Sequence, residues 1–116
     1  MRWPLWRVAV VEPSMEPTLR SGDWLLVWRG MPISHRGRPL PIKPGQVVVA
    51  RHPGQQELLL VKRAARRESG GWWLQSDNPD VSAVDSRRFG PVPPELIEGR
   101  VLVRYWPTRP GNRRPR

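Results

Sequence analysis

The chain has no cysteine, and that absence removes three kinds of chemistry at once. It leaves no disulfide framework, no thiol nucleophile and no cysteine-based metal site. The two histidines, His35 and His52, stand 17 positions apart and make a poor start for a metal centre. No metal and no cofactor is expected. Long apolar runs are missing too. Nothing approaches the roughly 20 apolar residues that span a bilayer, and the opening "MRWPLWRVAVVEPS" lacks both the apolar core and the small-residue cleavage site of a signal peptide. The expectation is a soluble, cytoplasmic protein. Fifteen prolines and ten glycines break the chain every few residues, which leaves no room for a long helix.

What is present fits one small domain of 116 residues. Its apolar segments run over Trp24–Trp28, Val47–Ala50, Leu58–Val61, Gly71–Leu74 and Val101–Trp106, and each is bounded by turn-forming or charged residues. Such runs read as strands. Residues 1–9 read as an opening strand, and "QVVVARHPGQQELLLVKRAARR" as a hairpin. One helical turn is predicted at Pro93–Glu98, with proline in its first turn and Gly99 ending it. The predicted fold is mainly β: a single small domain of coiled antiparallel sheets with little helix. Residues 1–107 form the domain, and 108–116 a basic tail expected to be disordered.

Acidic residues are scarce, ten against twenty lysines and arginines, for a formal charge of +10. Nucleic acid or an anionic surface is one partner class for such a chain. The arginines also suit a solvated surface, and the tryptophans lie mostly inside apparent strands, where they read as core rather than as stacking platforms.

Lysine is the scarcest cation. All but two of the twenty basic residues are arginine, the exceptions being Lys43 and Lys62. Lys62 closes the apolar run in "LLLVKRAA". A lysine can lose its proton inside a protein and an arginine effectively cannot, so Lys62 is a candidate general base. A base needs a nucleophile. In "VVEPSMEPTLRSGDWLLV", Pro13 and Pro17 bracket Ser14 and stiffen the chain around it. That suits a hydroxyl presented in one direction.

These segments, with a third, resemble the type I signal peptidase family of serine/lysine peptidases. "PSMEPTLRSGDWLLV" is similar to its nucleophile box, "LLLVKRAARR" to its general-base box, and "SDNPDVSAVDSRRFGPVPPELIEGRV" to its third box. The three stand in the family's order over about residues 10–106. Within the family, "VVARHP", "GWW", "DNPD", "FGPVP" and "GRVLVRYWP" resemble the branch that matures nickel-type superoxide dismutase. The resemblance implies a signal-peptidase-like catalytic core and a serine endopeptidase with Ser14 as nucleophile and Lys62 as base. It further implies support from Ser82, Asp85, Ser86 and Arg87, and substrate contacts at Met15 and Pro17. The implied partner is the precursor of a nickel-type superoxide dismutase, whose propeptide is removed so that the new N-terminus can bind nickel; nucleic acid is not an expected partner.

The match departs from the pattern in three places. Ser76 stands where the family has glycine, "SAVDS" carries one residue more than Ser-x-Asp-Ser, and Glu12 stands where some members carry a hydroxyl that assists the oxyanion. The oxyanion hole is therefore assigned to the Ser14 N–H and a second donor not identified from sequence. Asp85 and Arg87 read as a structural ion pair. A lysine near pKa 10.4 must be lowered by about three units to act near neutrality. Burial against Leu58–Val61 is expected to supply most of this, helped by Arg63 or Arg87 if either comes close. Rival readings are a Ser14–His52–Asp85 triad, an anchorless signal peptidase relative with another precursor, and a self-cleaving repressor-type peptidase. The last needs a DNA-binding region for which residues 1–13 leave no room. A non-enzymatic basic β module is the remaining alternative.

Overall fold

A computed structural model of the chain describes residues 5–11, 13–29, 42–79 and 84–106, with backbone alone at 105 and 106. Six strands follow in chain order: β1 Leu5–Ala9, β2 Trp24–Trp28, β3 Val47–Arg51, β4 Leu59–Glu68, β5 Gly71–Gln75 and β6 Ile97–Trp106. They form one sheet in the order β1-β2-β6-β3-β4-β5, and every pairing is antiparallel. The fold is mainly β with little helix, as the punctuation by proline and glycine dictates.

β3 holds the centre. Its sequence "VVVAR" is apolar without alternation because four consecutive residues, Val47 to Ala50, are buried. Val47 and Val49 pack with Met15, Leu19, Leu25, Val27 and Val101. Val48 and Ala50 pack in a second cluster with Ala64, Trp72, Leu74 and Val92. A strand so placed has no polar face to show, which is why its alternation vanishes. Each buried valine or leucine contributes about 1.5–3 kcal/mol of transfer free energy.

One turn fixes a register that matters for the site. β4 and β5 are joined by Ser69 and Gly70, with φ of 52° and 78°. Positive φ at both central residues is the backbone of a type I′ hairpin, whose twist matches that of the strands. β5 then pairs with β4 only over Arg63–Glu68, while β3 pairs with Leu59–Arg63 on the other side. Leu59–Lys62 therefore has no β5 residue along its outer edge. β1, at the end of the sheet, pairs only with β2. Between β2 and β6 the backbones approach so closely at Gly99 that a Cβ there would lie 2.5 Å from Val27 Cγ1 and 2.9 Å from the Trp28 carbonyl oxygen.

Three elements differ from the sequence reading. β4 runs on to Glu68, one residue past the hairpin reading, because burial still alternates through Ala64 after the apolar run ends at Val61. β6 starts at Ile97, and the expected turn at Pro93–Glu98 shortens to a 3-10 turn at Pro94–Leu96. A short helix, α1 at Ser86–Phe89, was not anticipated; Asp85 caps its start by accepting from the Arg87 N–H, and Gly90, at φ 78°, ends it. Residues 107–116, the anticipated basic tail, lie outside the described residues.

Candidate active site

Ser14 sits in a 3-10 turn, Pro13–Met15, that follows β1. Proline suits the first position of such a turn, where its missing N–H is not needed. The turn is closed by the Glu16 N–H on the Pro13 carbonyl and continued by the Leu19 N–H on the Met15 carbonyl. Met15 is buried against Val47 and Val49 and acts as the anchor of the turn. The amide of Ser14 lies in the first turn of a helix, where backbone N–H groups have no acceptor within the helix.

Lys62 arrives from β4, in register with Val48. Burial along β4 alternates, and Lys62 occupies one of the inward positions, between Leu60 and Ala64. It is 1% exposed and is the largest side chain so deeply buried among the described residues. Its nitrogen-bearing end meets the serine: Lys62 Nζ donates to Ser14 Oγ at 2.7 Å, inside the fold and 48 positions apart in sequence.

The segment after β5 ties these two elements together. Asp77 accepts from Arg63 Nε at 2.9 Å and Arg63 Nη2 at 2.6 Å, and from Thr18 Oγ1 at 2.6 Å. Arg63 follows the base position on β4, and Thr18 stands four residues beyond Ser14. One carboxylate thus bonds both β4 and the turn that follows Ser14. The Asp77 N–H also points at Met15 Sδ, the Asn78 N–H donates to the Ser14 carbonyl at 2.9 Å, and Asn78 Nδ2 donates to the Pro13 carbonyl. Burial pushes the Asp77 carboxyl upward, but the hydrogen bonds from Arg63 and Thr18 and the charge of Arg63 outweigh it and hold the group below the usual carboxylate range. From the opposite side, buried Asp23 accepts from the Arg20 N–H and Arg104, and Arg104 also reaches the Thr18 carbonyl.

Asp85, Ser86 and Arg87 lie together but do other work. Asp85 is fully buried, caps α1, takes the Ser76 N–H at 3.0 Å and pairs with Arg87. Burial raises its pKa, and the hydrogen bonds from Arg87 and the two amides more than reverse this, so the carboxyl stays below its ordinary range. Ser86 Oγ accepts from the Leu74 N–H at 2.8 Å. The three lock the end of β5 to α1. Arg63 and Arg87, the arginines considered as neighbours of the lysine, each pair with a carboxylate.

The other expected residues place as follows. Ser82 and Glu12 lie outside the described residues, as does His35. Pro17 is exposed and does not line the cleft described below, whereas Met15 does. His52 Nδ1 accepts from the Gly54 and Gln55 amides, and its ring packs edge-on against Phe89 at 4.9 Å. Among the described residues the side-chain partner of Ser14 Oγ is Lys62, not His52. The tryptophans divide: Trp72 is core, but Trp24 is 38% exposed.

Ser14 and Lys62 open on a cleft of about 450 Å³ whose walls come from β1 and the start of β4. Consecutive residues line it on both sides, Trp6 to Val11 on one and Leu58 to Lys62 on the other. Neighbouring side chains of a strand point to opposite faces, so a wall made of consecutive residues belongs to a groove along strand edges. Sequence reasoning did not find Thr18, Asp77, Asn78 or the β1 wall. The pair Asp77-Asn78 was within the quoted "SDNPD", where it read as a turn.

The family model of the Peptidase S24-like peptidases matches residues 5–92, which include Ser14, Lys62 and the Asp77 clamp. The chain belongs to that family. Among curated proteins it is 34% identical over 110 residues to mitochondrial inner membrane protease subunit 1 of Xenopus tropicalis, a match covering 82% of this chain and 65% of that protein. It is 60% identical over 35 residues to the mitochondrial ATP-independent inner membrane protease subunit 1a of Arabidopsis thaliana, or 30% of this chain and 20% of that one. The chain thus spans less than two thirds of either relative. Among the described residues no helix is long and apolar enough to cross a membrane, and no group of histidines and carboxylates is placed to hold a metal ion.

Proposed function

We propose that the chain is a serine endopeptidase in which Ser14 is the nucleophile and Lys62 the general base. The observation that carries this reading is the 2.7 Å hydrogen bond between Lys62 Nζ and Ser14 Oγ at a buried position. Burial disfavours an ammonium and favours the neutral amine, the form that can take the serine proton. Attack of Ser14 Oγ on a peptide carbonyl forms the acyl-oxygen bond while the proton passes to Lys62. The lysine returns it to the departing amine, and then removes a proton from the water that clears the acyl-enzyme. The Ser14 N–H is the nearest backbone donor for the oxyanion.

The groove supplies the substrate geometry. The outer edges of β1 and of Leu59–Lys62 carry no partner strand among the described pairings, so an extended peptide can add to either by β-augmentation. Within this reading the substrate is the precursor of a nickel-type superoxide dismutase in the cytoplasm. That choice rests on the resemblance of "VVARHP", "DNPD" and "GRVLVRYWP" to the maturation branch. The mitochondrial relatives are named for an inner membrane protease and make another precursor the competing substrate.

The test is intact mass of the dismutase precursor after incubation with the wild type, Ser14→Ala and Lys62→Arg. A single cut exposing an N-terminal histidine, absent with both variants, supports dyad and substrate together. Cleavage of an unrelated peptide but not of the folded precursor removes the dismutase and keeps the peptidase. Cleavage by the Lys62→Arg variant removes the dyad.

A further inference from the structure

Two tryptophans of the cleft wall each carry a guanidinium group, and one of these, that of Arg7, itself lines the cleft. Arg7 lies over the Trp24 ring at 5.8 Å and Arg29 over the Trp6 ring at 4.1 Å. Trp6, Arg7 and Trp24 all line the cleft. Arg7 is exposed, and no carboxylate pairs with it among the described residues, in contrast to Arg51, Arg63, Arg66, Arg87 and Arg104. Among the described residues lining the cleft there is no Asp or Glu; the only ionisable side chains are Arg7 and Lys62. An arginine left over an aromatic ring keeps its in-plane donors available, since the ring engages only the face.

We infer that Arg7 is a specificity-determining residue that selects substrates bearing an Asp or Glu side chain a few residues from the scissile bond. This rests on the reading of the cleft as the substrate groove. The distance follows from strand geometry. Arg7 lies three residues before Val10, or about 10 Å at ~3.3 Å per residue, and the chain turns into Ser14 just after. A peptide laid along β1 with its carbonyl at Ser14 therefore brings a residue about three or four positions from that bond beside the Arg7 guanidinium. A carboxylate there receives a charge-assisted, potentially bidentate pair. It meets no like charge from the described walls, while a lysine at the same point meets repulsion. The low-dielectric apolar walls strengthen both effects relative to open water.

The experiment uses two readouts so that recognition and chemistry fail separately. Fluorescent, alanine-rich decapeptides carrying one Asp, Asn or Lys at each position in turn are titrated onto the Ser14→Ala protein, and their hydrolysis by the wild type is followed in parallel. At low salt the Asp peptides at one position bind about 3- to 10-fold more tightly than their Asn counterparts, and the advantage falls away at high salt, as an exposed charge pair requires. Adding Arg7→Glu turns the preference at that position toward Lys, and Arg7→Gln flattens it. Equal binding of Asp, Asn and Lys peptides at every position, or an Asp preference unchanged by Arg7→Glu, overturns the inference. Absence of hydrolysis by the wild type with the Asp preference intact overturns the dyad and leaves the cleft's selectivity standing.

Discussion

Asp77 and Asp85 follow β5 within ten residues of each other. Both are paired with arginine and both are held below the ordinary carboxylate range, yet they hold different things. Asp85 binds locally: Arg87 two positions away, the amides of Ser76 and Arg87, and the start of α1. Asp77 binds across the fold, taking Thr18 from 59 positions away and Arg63 from 14. One maintains an element; the other keeps two catalytic candidates on different elements at hydrogen-bonding distance. The same residue type in the same short stretch therefore serves stability in one place and site geometry in the other, and the difference is in what the partners are attached to.

Substitution separates the two roles. Asp77→Ala leaves Arg63 and Thr18 without their shared acceptor. Small misplacements of reacting groups cost up to about 100-fold in rate, so kcat in a peptide assay is expected to fall about 10- to 100-fold, measured well below the variant's Tm. Full activity in that folded variant means that the Asn78 bonds to Ser14 and Pro13 suffice. Asp85→Ala removes a helix cap and leaves two part-buried amides without their acceptor, and urea unfolding should show a loss of about 1–3 kcal/mol. Its kcat, per folded molecule, should fall less than that of Asp77→Ala. A reversal of that order would erase the distinction.

Acid provides the next test. Both carboxyls have folded pKa values below their unfolded ones, so the folded state binds fewer protons than the unfolded chain. Their stabilisation is fully present above the unfolded value of about 3.9 and is lost as the pH falls through the folded values. Tm should therefore drop below about pH 4, and the Asp77→Asn/Asp85→Asn double variant should show a shallower drop; an unchanged slope would place the acid sensitivity elsewhere. The smallest effect is expected at Arg66–Glu68, an exposed pair at 2.9 Å, where Arg66→Gln should change unfolding free energy by less than about 1 kcal/mol.

How much of this was legible in the sequence depends on the range of the interaction. The strand at Trp24–Trp28 and the core run at Val47–Ala50 were read with nearly their observed limits, because apolar runs between turn residues report burial directly. β4 beyond Val61 was covered by the hairpin reading but not by an apolar run, since its inward residues there are a lysine and an alanine. α1 is too short for periodicity to show; only Asp85 as cap and Gly90 as stop marked it. The Ser14–Lys62 meeting was legible as a pair of residue types, one stiffened hydroxyl and one exceptional lysine, but its distance was not. The Asp77 clamp needed the three-dimensional fold, because nothing in the sequence joins Thr18, Arg63 and Asp77.

The central claim is that Lys62 acts through a neutral amine on Ser14, and the missing cysteines make a direct test available. Lys62→Cys introduces the chain's one thiol, which 2-bromoethylamine alkylates to a side chain with lysine's length and a terminal amine. The account predicts that the cysteine variant is inactive, that alkylation restores peptide cleavage, and that the same treatment restores nothing when Ser14→Ala is also present. Because the inserted sulfur lowers the basicity of the amine, the pH–rate profile of the restored enzyme should move to lower pH. Cleavage by the unalkylated cysteine variant, or restoration that survives Ser14→Ala, would contradict the account.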